Sequence, residues 1–134
     1  MPKNSRYAEG YNGQWQPDSA FLGISDRLLS MRRDPAKSHK IGSDSGTLLW
    51  VGERFCLRID APRILNSHYP DNESSVEIYT NGDPLQYVEL ETLGPLKRMK
   101  IGDRISARNT YTLYRRTQLA PQDEARAILG QPGI

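Results

Sequence analysis

From Phe21 to Arg116 the chain runs as short stretches of alternating character, broken every few residues by turn-forming side chains. Candidate strands are 27–32 (RLLSMR), 47–51 (TLLWV), 53–60 (ERFCLRID), 75–80 (SVEIYT), 86–93 (QYVELETL), 95–100 (PLKRMK) and 103–115 (DRISARNTYTLYR). Turn chemistry falls between them, at Asp34-Pro35, Ser43–Gly46, Gly52, Pro70-Asp71-Asn72, Asn81-Gly82-Asp83-Pro84, Gly94-Pro95 and Gly102-Asp103. Strands at this spacing without helical blocks between them predict an all-β, mainly antiparallel fold, a β-sandwich. The single helical pattern is 121–129 (PQDEARAIL). Pro121 suits a first turn, Asp123 and Glu124 complement the helix dipole, and Gly130 can end the helix. The expected organisation is an irregular arm over 1–20, a β-sandwich domain over 21–116 and a helical tail over 117–134.

Within the strands, alternation assigns faces. Phe55, Leu57 and Ile59 oppose Arg54, Cys56, Arg58 and Asp60. Ile105, Ala107, Tyr111 and Leu113 share the apolar face expected to turn inward along 103–115, with Asn109 interrupting it. The arm is polar, and its Tyr7, Tyr11 and Trp15 recur every fourth residue, but Gly10, Gly13 and Pro17 argue against a stable helix there. These aromatics are candidates to pin the arm to its own surface or to another subunit's.

Composition removes several classes of function. The 134 residues form one ordinary domain's length of chain, with no apolar run near the ~18 residues of a membrane span. No secretory signal pattern opens it, so a soluble cytoplasmic location is expected. A lone cysteine, Cys56, permits no internal disulfide and reads as structural. Two histidines make a zinc centre an unpromising reading, and no cofactor motif is present, so neither metal nor cofactor is expected. His39, among lysines, reads as exposed. The net charge of +2 does not suggest a nucleic-acid binder, and membrane partners are not expected either. Charge is nonetheless segregated. Residues 61–95 carry a net of −5 and residues 96–116 a net of +6, which cross-strand pairing between neighbours would neutralise.

The stretch 69–95 carries the candidate site. If Val76, Ile78, Val88 and Leu90 face the core, then Glu77, Tyr79, Tyr87, Glu89 and Glu91 line the other face. Carboxylates accept hydrogen bonds from hydroxyls and aromatic rings cover C–H faces, so this set suits a carbohydrate or other polyol. Glu89 and Glu91, two apart on one strand, repel one another, which is one route to a proton-transfer carboxylate. His68, in NSHYPDN beside Asp71 and Glu73, is a further candidate ligand contact.

The same segments carry a resemblance. YPDNESSVEIYTN, YVELETLGPL and IGDRISARNTYTLYRR, preceded by SDRLLSMRRDPAKSHKIG and TLLWVGERFCLRI, resemble the C-terminal half of an uncharacterised bacterial family of galactose-mutarotase-like β-supersandwich proteins. The likeness spans about residues 25–116. It implies half of a supersandwich, a sugar-type ligand and, by the match of Leu90-Glu91-Thr92 to the mutarotase base triplet, Glu91 as a base. Tyr79-Thr80-Asn81 is similar to the sugar-contact strand, which adds Asn81 to the ligand set. The histidine acid of a mutarotase belongs to the half without a counterpart here, and neither His39 nor His68 sits in its motif. The expectation is therefore a carbohydrate-type binding module without established catalysis. A mutarotase-like enzyme is the alternative, and an assembly unit without a small ligand the third reading. A half-fold leaves a sheet face or edge uncovered, so a homodimer is also expected.

Overall fold

The computed structural model describes residues 20–25 and 28–131. The arm with Tyr7, Tyr11 and Trp15 lies outside the described residues. Among the described residues the fold class is all-β and mainly antiparallel, with a short C-terminal helix and no barrel, as the alternation predicts. Eight strands form three antiparallel sheets among the described residues: β1 (Leu22–Ser25) with β2 (Leu28–Met31), β3-β6-β7 (His39–Ser43, Val76–Thr80, Val88–Thr92) and β4-β5-β8 (Thr47–Val51, Phe55–Asp60, Thr110–Arg115). The helices are α1 (Pro70–Glu73), a single turn, and α2 (Pro121–Leu129). No helix among the described residues is long and apolar enough to cross a membrane.

The chain divides into two compact units. One comprises residues 1–45 and 63–107, the other residues 46–62 and 108–134. In the first, the core face of β3-β6-β7 carries Ile41 opposite Ile78 and Ile78 opposite Leu90, with Ile41 and Val76 buried. The same face also carries polar side chains, with His39 opposite Thr80. His39 is fully buried, contrary to the exposed position expected for it, and its Nε2 lies 3.0 Å from Asp34 Oδ2. Asp34 Oδ1 also accepts from the Ala36 amide at 2.7 Å. A buried imidazole is tolerable because the Asp34 carboxylate partners it. The hydrogen bond from His39, with that from Ala36, holds the Asp34 pKa below the usual carboxylate value.

In the second unit, α2 packs against β4 and buries Ala125, Ile128 and Glu124. Glu124 does more than complement the helix dipole: it accepts from the Thr117 amide at 2.8 Å, the Thr117 hydroxyl at 3.0 Å and Arg116 Nε at 3.3 Å. Arg58, buried on β5, donates to the Ile128 and Gln131 carbonyls at 3.2 and 2.9 Å and pairs with Asp60 at 2.8 Å. A guanidinium at the C-terminal carbonyls of a helix satisfies acceptors that the helix cannot pair internally. Cys56 is buried beside this network, and burial raises its thiol pKa.

Three expectations fail along 95–115. Residues 95–100 and 103–109 form no strand; β8 begins only at Thr110, where Asp60 of β5 supplies its partner. The face expected to turn inward is reversed. Ile105, Tyr111 and Leu113 are 58%, 63% and 64% exposed, whereas Thr110, Thr112 and Tyr114 are half-buried. The reason is register: Thr112 stands opposite Arg58 and Tyr114 opposite Cys56, on the β5 face whose Arg58 reaches α2. Finally, the basic stretch does not neutralise the acidic one. Glu73, Glu77, Glu91 and Asp83 pair instead with Arg63, Lys40 and Arg33.

Candidate functional site

The register of β3-β6-β7 gathers the acidic side chains on one face. Glu77 is directly opposite Glu91 and Tyr79 directly opposite Glu89, so all four project from the same side. Across the other edge of β6, Lys40 stands opposite Tyr79 and Gly42 opposite Glu77. Lys40 therefore joins the same face from β3, diagonal to Glu77. The sheet thus brings together three strands' worth of charge that the linear sequence holds 51 residues apart.

Lys40 is the centre of the cluster. Its Nζ lies 2.8 Å from Glu77 Oε2 and 3.0 Å from Glu91 Oε2. Burial alone would lower the ammonium pKa, but the bonds and charges of Glu77 and Glu91 outweigh it, and the net shift is upward. Two carboxylates share one cation, so the trio carries one excess negative charge when all three are ionised. Glu77 bears the cost. Its side chain is 1% exposed, and burial pushes its pKa upward against the pull of Lys40, with Asp71 and Glu91 adding repulsion. The contact from Lys40 is an ion pair outside hydrogen-bond angles, so neither Glu77 oxygen accepts a well-formed hydrogen bond among the described residues.

Exposure increases away from Glu77. Glu91 is partly accessible, while Glu89 and Tyr87 are exposed. The Tyr79 and Tyr87 rings lie 5.9 Å apart, tilted by 46°. The Tyr79 hydroxyl donates to Asn81 Oδ1 at 3.0 Å, and that oxygen also accepts from the Ser38 hydroxyl at 2.5 Å. Burial raises the Tyr87 pKa, helped by Tyr79 and Glu89, so the Tyr87 phenol stays a neutral donor near pH 7. The expected residues Glu77, Tyr79, Asn81, Tyr87, Glu89 and Glu91 thus form one contiguous polar strip. Its outer end is open and its inner carboxylate, Glu77, is buried rather than solvent-lining.

His68 is not part of this strip. Its Nδ1 bonds Glu73 Oε1 at 3.0 Å, and the ring is 89% exposed. Glu73 is tied on its other oxygen by Arg63 at 3.0 Å and by the Tyr69 amide at 3.1 Å. These bonds, His68 first, hold the Glu73 pKa low. Arg63 also lies over the Tyr69 ring, 4.1 Å from its centre. The turn that presents Glu73 is left-handed at Asp71, Asn72 and Glu73, with φ of 49°, 56° and 69°. Non-glycine residues in that region cost backbone energy, and the Arg63 and Tyr69 bonds to Glu73 hold the last of them in place. No group of three or more metal-type side chains occurs among the described residues.

The residue that sequence reading missed is Lys40. It sits in KSHKIG, which shows no strand alternation, and only the pairing of β3 with β6 places it between two glutamates. Protein-family models, curated proteins and solved structures contain no match to this chain.

Proposed function

We propose that this chain is a carbohydrate-type ligand-binding β-domain, half of a galactose-mutarotase-like supersandwich in architecture, without established catalysis. The observation that carries the reading is the strip on β6 and β7. There Glu89 and Glu91 offer acceptors for hydroxyl groups, Tyr79 and Tyr87 offer ring faces, and Lys40 fixes the Glu91 carboxylate. A neutral polyol fits such a set because each hydroxyl donates to a carboxylate oxygen while C–H bonds cover a tyrosine ring. The second reading, a mutarotase-like enzyme with Glu91 as base, is favoured by that residue's partial exposure on the same strip. Against it, Lys40 occupies Glu91 Oε2, and among the described residues no histidine or carboxylic acid is hydrogen-bonded to Glu91. General acid–base catalysis draws on both partners. The third reading is an assembly unit without a small ligand. The macromolecular partner in this proposal is a second copy of the chain.

Titration of the protein with a panel of neutral aldoses and alditols, followed by tyrosine ring signals in NMR, tests the binding reading. Saturable shifts at Tyr79 and Tyr87, lost in Tyr87→Ala and weakened in Glu91→Gln, are expected. Polarimetry on the same panel is expected to show no anomer exchange above buffer. Turnover abolished by Glu91→Gln would instead establish the enzyme. Absence of any shift across the panel would leave assembly as the function.

A further inference from the structure

Residues 96–108 are all exposed, an unbroken run in a chain of 134. The segment is organised at its turn: the Asp103 amide donates to the Lys100 carbonyl at 3.0 Å, the Lys100 amide to Asp103 Oδ2 at 2.9 Å, and Gly102 takes a φ of 95°. The Leu96 amide is anchored on the His68 carbonyl at 2.7 Å. Among the described residues few other bonds reach it. Among the described residues, Lys97, Arg98, Lys100, Arg104 and Arg108 make no ion pair, and the backbone from Arg104 to Arg108 makes no hydrogen bond. Yet the sequence there is strand-like, with Ile105 and Ala107 alternating against Arg104, Ser106 and Arg108.

A second unpaired edge lies in β7. It borders its sheet, and from Val88 to Glu91 its backbone bonds run to β6 alone among the described residues. Val88, on the core side, is 41% exposed. This edge alternates apolar Val88 and Leu90 with acidic Glu89 and Glu91, the charge inverse of 104–108.

We propose that two copies of this chain associate by β-augmentation, residues 103–108 of each adding antiparallel to the β7 edge of the other. The inference rests on the second copy being the chain's partner and supplies the surface that seats it. With Leu90 opposite Ile105, Val88 falls opposite Ala107 and Glu91 opposite Arg104. Glu89 is then diagonal to both Arg104 and Arg108. Every apolar residue meets an apolar one, and both β7 acids, Glu89 and Glu91, lie opposite or diagonal to a base. Pairing 103–108 with its own copy is worse, because antiparallel strands would set Arg104 against Arg108. Reciprocal exchange across a two-fold axis closes the assembly at two chains and removes an unpaired edge from each copy.

Light scattering after size exclusion, on the full chain from micromolar to 100-fold higher concentration, measures the mass. The expected value is about 30 kDa, twice the 15.2 kDa of one chain. Raising salt from ~0.05 to ~0.5 M is expected to weaken association about tenfold or more, because the exposed pairs are screened. Ala107→Pro deletes an amide that has no hydrogen-bond partner among the described residues, so circular dichroism stays unchanged while the dimer is lost. Arg104→Glu weakens the dimer about tenfold, and adding Glu89→Arg restores part of it. A dimer indifferent to Ala107→Pro and Arg104→Glu overturns this pairing and leaves the second copy as partner by another surface. A single-chain mass at every concentration overturns both.

Discussion

Glu77 and Glu124 are both glutamates with almost no solvent exposure, at 1% and 2%, yet the chain treats them oppositely. In the unit that holds α2, Glu124 receives three donors, two from Thr117 and one from Arg116. The bond from the Thr117 amide, above all, holds its pKa below the usual carboxylate value. In the unit that holds β6, Glu77 has one ammonium at 2.8 Å, shared with Glu91, and two acids nearby, and burial raises its pKa. A buried carboxylate with all its donors fastens a helix to a sheet. One left short of donors is held there at a cost in stability, the pattern found where a carboxylate serves binding or proton transfer. The contrast separates a structural charge cluster from a candidate functional one without reference to any relative.

The contrast can be tested first where it is strongest. Arg58 belongs to the satisfied side, buried and bonded to Asp60 and to the end of α2. Arg58→Ala takes this donor from the Ile128 and Gln131 carbonyls and leaves Asp60 with the Thr47 hydroxyl, and a loss of about 3 kcal/mol is expected in urea melts. A cost under about 1 kcal/mol would show that this network is decorative. Lys40→Met comes next. It strips from Glu77 and Glu91 the one cation that pairs with them among the described residues, and about 2 kcal/mol is expected at pH 8, discounted because Lys40 and Glu91 are partly exposed. The loss must shrink as pH falls, since protonation then relieves the stranded Glu77, whose pKa burial already raises. A pH-independent loss would point to packing of the lysine stem instead.

Much of the fold is legible in the chain itself. Alternation located β4, β5, β6, β7 and the 110–115 part of β8, and capping chemistry located α2 at its observed bounds. The shared face of Glu77, Tyr79, Glu89 and Glu91 followed from the same alternation. What could not be read is pairing across long separations. β3 is short and mixed, HKIGS, and becomes a strand because β6 offers it a ladder. Residues 104–108 have strand-like sequence but form no ladder among the described residues, so propensity alone does not make them a strand. His39 among lysines gives no sign of burial; Asp34, five residues earlier, is what makes burial tolerable.

The smallest effect expected is also the most discriminating. Glu77→Gln keeps the shape of the side chain and removes its charge. In the wild-type chain the folded-state pKa of Glu77 stands above its unfolded value. The native state therefore binds the proton more tightly than the unfolded state. Stability is greatest below the unfolded pKa and declines as pH rises through the folded one. Glutamine cannot ionise, so the variant lacks that decline: near pH 4 the two proteins should be about equally stable, and by pH 8 the variant should gain, by about 1 kcal/mol or less. Glu124 moves the other way. Its depressed pKa contributes stability above the unfolded value that is lost as pH falls through the folded one, so Glu124→Gln should flatten the acid limb instead. Urea melts of both variants from pH 3 to pH 9 separate the cases. If Glu77→Gln also flattened the acid limb, Glu77 would be a second structural carboxylate, and the strip it anchors would lose its claim to be a site.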